Sequence, residues 1–194
     1  GYRALDLNTT GVYNVAIGQD ALKASVTGKE TVAVGPYALT KNTTGYANVA
    51  VGYKSLLNNT IGYANIAMGW YALQANTTSN SNIAIGRKAL YLNTIGYKNI
   101  ALGNETLQSN TTGIQNIAIG SAALIDNTTG KQNVAVGNVS LYENISGNFN
   151  IVVGNYAMRL NTIGVSNVAV GHNALYANTT ASYNVAVGHE ALRQ

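Results

Sequence analysis

The chain has no cysteine, a single proline, one tryptophan and one phenylalanine in 194 residues, and only 9% of its residues are charged. Without cysteine there is no disulfide framework and no thiolate metal centre, although the compartment stays open. No apolar run approaches the roughly 18 residues that a membrane-crossing helix needs, so direct membrane insertion is not expected. The net charge of +4 is spread too thinly to mark a nucleic-acid partner. The chain opens partway through a repeat with "GYRALDLNTTG", and no secretory signal peptide is expected in it.

Glycine, by contrast, is plentiful: there are 21. Eleven of them close copies of one five-residue phrase, "NVAVG" or a near relative such as "NIAIG" or "NIALG". The copies start at positions 14, 31, 48, 65, 82, 99, 116, 133, 150, 167 and 184, so one constant step of seventeen separates them all, with no insertion or deletion. A fixed period of this kind announces a solenoid or array. The step is too short for a helix-pair repeat and suits one turn of a β-solenoid. The expected organisation is a single repeat array over residues 1–194, about 11 coils long, with no second domain.

Numbered from its Asn, the repeat reads N-[VI]-A-[VI]-G-x-x-A-L-x-x-N-T-[TI]-G-x-x. Position 1 departs from Asn only at Thr31, position 3 from Ala only at Val152, and position 12 from Asn only at Ser25. Every Lys, Arg, Asp, Glu and His falls at position 6, 7, 10, 11, 16 or 17. An unpaired buried charge costs several kcal/mol, so this restriction separates a solvated edge of each coil from a packed part.

Positions 1–4 have the period of a short strand, and successive side chains point to opposite faces. Val or Ile at 2 and 4 therefore share one face and are expected, with Leu at 9, to make a narrow core. Asn, Ala and Gly at 1, 3 and 5 share the other. That face is small and uncharged in every coil, and is expected to meet neighbouring chains through Asn48, Ala50, Ala67, Ala84, Ala101, Ala118 and Ala135. The plainer alternative is that Ala fits a tight internal corner. "ALxxN" is compatible with a helical turn or an outer strand. "NTTG" is turn chemistry. Gly at 15 gives way to Ser79 and Ala181 whereas Gly at 5 has no exception, so the corner at 5 is expected to be the stricter. Stacking would align the Asn residues of positions 1 and 12 into ladders.

These residues resemble the head repeats of YadA-like trimeric autotransporter adhesins, which carry an "NSVAIG"-type motif. They are also similar to "NTAVGxxAL…NTTG" arrays of bacteriophage tail fibres, to which "AL" and "NTTG" bring the chain nearer. The resemblance covers the whole chain. It implies a left-handed parallel β-roll, three chains side by side as a homotrimer, and a place in a longer fibre. Adhesin head coils are usually shorter, so the additional residues here must enlarge a corner or the outer side.

Reactive residues are sparse. His172 and His189 share position 6 one coil apart, with Glu190 adjacent, a placement more usual for surface residues than for metal ligands. The seven carboxylates are scattered over distant coils, and no Gly-rich phosphate loop with a following Lys-Ser/Thr is present. No catalytic, metal or cofactor site is expected, and the chain is not expected to be an enzyme. Tyr37, Tyr53, Trp70 and Tyr71 occupy positions 6 and 7 of three consecutive coils, followed by Arg87 and Lys88 in the next. Together they suggest an outward patch for a host-surface glycan or partner protein; the plain alternative is surface filler. Ten Asn-x-Ser/Thr sequons, Asn8, Asn42, Asn76, Asn110, Asn127 and Asn178 among them, follow from repeating "NTT" and would decorate one edge of the fibre in a host that glycosylates.

The expected function is structural: an extracellular, cell-surface or virion-borne fibre shaft or adhesin head that spaces or presents a binding tip. Two other classes compete. An ice-binding solenoid would use the Thr of "NTTG", against which stand the interruptions Ile61, Ile95 and Ile163. A functional-amyloid-like filament would stack chains end to end. Thermal hysteresis would single out the first, dye binding and unlimited length the second.

Overall fold

The computed structural model describes residues 1–194 as a parallel β-solenoid of about ten turns with 17-residue coils and no helix. Each coil contributes one three-residue strand: β1 (Val15–Ile17), β2 (Val32–Val34), β3 (Val49–Val51), β4 (Ile66–Met68), β5 (Ile83–Ile85), β6 (Ile100–Leu102), β7 (Ile117–Ile119), β8 (Val134–Val136), β9 (Ile151–Val153), β10 (Val168–Val170) and β11 (Val185–Val187). They form one 11-stranded sheet in chain order. Neighbours are parallel and in register, with Val15 beside Val32 and Ala101 beside Ala118. At about 4.8 Å between strands the sheet is about 48 Å long.

The strand faces are the reverse of the expectation. Ala33, Ala50, Ala67, Ala84, Ala101, Ala118 and Ala135 at position 3 are fully buried within their own chain, and so is Asn48 at position 1. They pack in one cluster with Leu at 9 and with Ala at 8, as in Ala38–Leu39 and Ala89–Leu90. The outward side chains are those of positions 2 and 4: Val15, Ile17, Ile117, Ile119, Ile151 and Val153 are all exposed. The proposed alanine interface is therefore an internal wall. The reason is volume. One Leu per coil nearly fills the space that so short a coil encloses, and the strand opposite contributes little more than a methyl group.

Positions 6–11 are neither helix nor strand but turn backbone. Three non-glycine residues per coil, at positions 7, 9 and 17, have positive φ, for example Tyr71 (61°), Leu73 (51°) and Ala64 (53°). A left-handed backbone costs an L-residue about 1–2 kcal/mol. Its return is hydrogen bonding between coils: the Leu39 N–H donates to the Ser55 carbonyl (3.0 Å) and that of Tyr71 to Tyr53 (3.0 Å). Only 20 of the 128 backbone hydrogen bonds lie within strands, so most of the stacking is carried by these turns. Gly at 5 is strict for two reasons. At Gly137 φ is 134°, and an added Cβ would stand 2.6 Å from the Gly154 carbonyl carbon of the next coil. The glycines at 15 are approached as closely, an added Cβ at Gly28 standing 2.8 Å from the Gly45 carbonyl oxygen, but none has positive φ, and φ is what separates them from the strict corner.

Candidate functional site

Two buried amide ladders hold the coils in register. In the position-1 ladder, Asn116 Nδ2 donates to Asn99 Oδ1 (3.1 Å) and to the Gly130 carbonyl (2.9 Å). Asn116 Oδ1 in turn accepts from the backbone N–H of Asn133 (3.1 Å). In the position-12 ladder, Asn127 Nδ2 donates to Asn110 Oδ1 (2.8 Å) and to the Gly130 carbonyl (3.1 Å). The polar atoms of a narrow core are thus satisfied by their own copies one coil away, as buried polar groups require. Two neighbouring residues interrupt the pattern. Ser25 has no amide to offer, and Asn8 Oδ1 and Ser25 Oγ are both left without a partner. Thr31 replaces the Asn of the other ladder and turns its hydroxyl to the Lys29 carbonyl (3.0 Å).

These ladders close most of the sequons at position 12, while those at Asn104 and Asn138 stay exposed. Asn42, Asn76, Asn110 and Asn127 are fully buried, the Nδ2 atoms of Asn76, Asn110 and Asn127 committed to the ladder and that of Asn42 to the Gly45 carbonyl. Asn8 and Asn178 are only partly buried, yet their Nδ2 atoms likewise donate to backbone carbonyls. In the folded rod the buried four are closed to a glycosyltransferase.

The outer side of coils 2–5 gathers the aromatic residues that the repeat register places together. Tyr37 and Tyr53 meet edge to face (5.9 Å between centroids), as do Tyr53 and Tyr71 (5.5 Å) and Tyr71 and Tyr91 (6.1 Å). Trp70 lies 4.8 Å from Tyr71 and is 48% exposed. Tyr91 joins the group from position 10, outside the two positions that the sequence singled out; its place shortly after Lys88 in the same coil was the available signal. Lys54 sits among the rings, its Nζ 5.9, 5.1 and 5.6 Å from the centroids of Tyr37, Tyr53 and Tyr71. The neighbouring Tyr53 side chain is the main cause of a pKa above the usual lysine value. Lys88 Nζ lies 5.7 Å from the Tyr91 ring. Arg87 is differently engaged, in a 2.7 Å ion pair with Glu105. A second stack, Tyr46 on Tyr63 at 4.9 Å and nearly parallel, stands on the position-16 column.

His172 and His189 are stacked at 5.3 Å with an 11° interplanar angle, and Tyr156 meets His172 edge-on. Glu190 is turned to Arg193 (2.9 Å). No group of three or more His, Cys, Asp or Glu side chains converges as a metal would need. The carboxylates of Asp126 and Glu143 come from neighbouring coils. Partial burial and then the Glu143 charge push the Asp126 carboxyl above its usual value.

The largest uninterrupted feature is the outward face of the sheet. Positions 2 and 4 of all eleven strands carry Val, Ile, Leu or Met and nothing else. No polar side chain breaks the two columns. All-parallel sheets occur almost only with both faces covered. At about 48 Å by about 10 Å the strip projects roughly 500 Å², before side-chain relief, near the upper end for a soluble monomer.

The fold defines the class: a tandem-repeat β-solenoid. No family model matches the chain, and no curated protein or solved structure matches it either.

Proposed function

We propose that the chain is a rigid shaft or head segment of an extracellular or virion-borne fibre, built from three copies packed side by side through the Val/Ile face. The observation that carries this reading is the unbroken pair of apolar columns on a parallel sheet. A lone rod would expose them to water, whereas a bundle of chains about a common axis would bury them. Two columns suit two neighbours, as in a three-chain bundle. The number three and the left hand come from the resemblance to YadA-like heads and phage tail-fibre arrays. The alanine face plays no part in this assembly.

Rigidity fits a spacer. Each strand-bearing coil is tied to the next by backbone hydrogen bonds and an in-register strand, and from Asn42 onward by one or both amide ladders as well. Such ties favour a stiff rod, most of all beyond the Ser25 and Thr31 interruptions. The partner in this reading is the chain itself, with any receptor engaged by its exposed edge or by a tip.

The test is mass against dilution. Multi-angle light scattering of the wild-type chain is expected to give a trimer that persists on dilution. The pair Ile117→Glu and Ile119→Glu, mid-rod and outward, is expected to yield monomers with an unchanged far-ultraviolet spectrum. A wild-type chain that is monomeric at every concentration would remove the main support for the fibre. An ice binder is less well supported. The position-13 hydroxyls of Thr43, Thr60 and Thr111 are spent on carbonyls of the next coil. That leaves one outward column, interrupted by exposed Ile61, Ile95 and Ile163.

A further inference from the structure

We propose that the alternating column Tyr37, Lys54, Tyr71 and Lys88, flanked by Trp70, is a binding site for an extended acidic polysaccharide bearing a carboxylate on every second sugar. The fold itself asks for none of these residues. The same two positions in the next three coils hold Asn104 and Glu105, Ser121 and Ala122, and Asn138 and Val139, on the same backbone and in the same register. Aromatic and cationic side chains at positions 6 and 7 of consecutive coils are therefore free of any structural demand there.

Spacing gives the ligand its shape. Successive coils lie about 4.8 Å apart, so Lys54 and Lys88, two coils apart, are separated by about 10 Å along the rod. That is close to the length of two pyranose units in an extended chain. Tyr71 stands between the two lysines, and Tyr37 precedes them. A polymer lying along the column would place one sugar beside each tyrosine hydroxyl and the next sugar's acid at each ammonium.

Charge and ring geometry favour this occupant. The ion pairs of the rod engage Arg3, Lys23, Arg87, Arg159 and Arg193 and neither Lys54 nor Lys88; Glu105, which follows Lys88 at the same position one coil on, is taken by Arg87. Each ammonium rests near tyrosine rings, from which a flexible lysine can swing to an incoming anion. The exposed indole of Trp70 offers an apolar face to pyranose C–H groups, and the tyrosine hydroxyls offer partners for sugar hydroxyls. Single-stranded nucleic acid would also seek rings and cations. Its bases need open ring faces, however, and here the tyrosines meet one another edge to face at 5.5–6.1 Å. The site lies within one chain and so does not depend on how copies assemble.

The test is calorimetric titration with hyaluronan oligosaccharides, which alternate acidic and neutral sugars, alongside their carboxyl-reduced form and oligothymidylate. The wild-type chain is expected to bind the acidic oligosaccharide, and carboxyl reduction or the double change Lys54→Gln/Lys88→Gln to weaken binding about tenfold. Trp70→Ala is expected to weaken it by a similar factor, and Tyr156→Ala, on the distant coil, to leave it unchanged. All variants should keep the wild-type far-ultraviolet spectrum and mass. Absence of binding by the wild-type chain overturns the proposal. So does equal binding of the carboxyl-reduced form, tighter binding of oligothymidylate, or binding untouched by the lysine and tryptophan changes. None of these outcomes bears on the trimer, which light scattering reads separately.

Discussion

The two faces of the sheet are made by alternate residues of the same short strands, and they differ in every respect that matters. The inner face holds Asn and Ala, uncharged and small, with almost no exception. The outer face holds Val and Ile, the residues usually expected inside. Hydrophobicity alone would have assigned them the other way round. What decides is the volume available: a short coil already carrying a Leu has room across it for a methyl group and a row of amides, and no more. The larger aliphatics are pushed outside, where the proposed neighbouring chains would cover them.

Substitutions can break or sharpen that contrast. The largest effect is expected from Ala101→Glu, which would place an unpartnered charge in the internal wall and destabilise the chain by about 3–5 kcal/mol or more. Urea unfolding of a dissociated background carrying Ile117→Glu would show this loss in the coil itself. If only the oligomer were lost, the alanines would face a neighbour after all. Next comes Asn116→Leu. It removes an amide that joins three coils, orphans the Asn133 N–H and leaves the Gly130 carbonyl with Asn127 as its one side-chain donor, at about 1–3 kcal/mol. An equally drastic change at exposed Asn104, outside the ladder, is expected to shift the urea midpoint hardly at all.

Repair should be measurable too. Ser25→Asn would supply the missing amide beneath Asn8 and is expected to stabilise the rod by about 1 kcal/mol, seen as a rise in Tm. No rise would mean that the ladder is geometry without net stability.

The smallest effect belongs to the outer corner, at Asp126. Its folded carboxyl has a raised pKa through desolvation and then the Glu143 charge. The charged form is therefore disfavoured in the folded state, and the penalty is present above the folded pKa. It disappears as pH falls below the ordinary carboxylate value, where both states are protonated. Asp126→Asn is expected to raise Tm slightly at pH 7 and not at pH 3. Solvent screening keeps the difference to about half a kcal/mol or less.

Much of this fold was legible. The constant period placed eleven strands and their register, so that Val15 beside Val32 follows from counting alone. The confinement of charge to six positions marked the solvated edge. The unbroken glycine at 5 marked the strict corner, and adjacency in the repeat brought Trp70 to Tyr71. The side of the strand facing inward was not legible, because a period of two says which residues share a face but not which face encloses the smaller volume. The left-handed residues were hidden for a different reason. Leu73, Lys54 and Tyr71 have no side-chain preference for positive φ; the coil's hydrogen bonds impose it. Sequons such as Asn76 mislead because the same three letters serve a turn and a buried ladder.

The regular step from coil to coil also governs how the chain reaches this state. Parallel sheets are ordinarily slow to form, since their partners lie far apart in sequence. Here the ladder bonds join residues about 17 apart in a chain of 194, a separation of about 0.09 of its length, which is in the range of fast-folding helical bundles. The first coil must hold three left-handed residues with nothing stacked on it, but each later coil finds a finished template. The rod should therefore zip from a rare nucleus, coil by coil, with the difficulty concentrated in its first turns and very little added by its length.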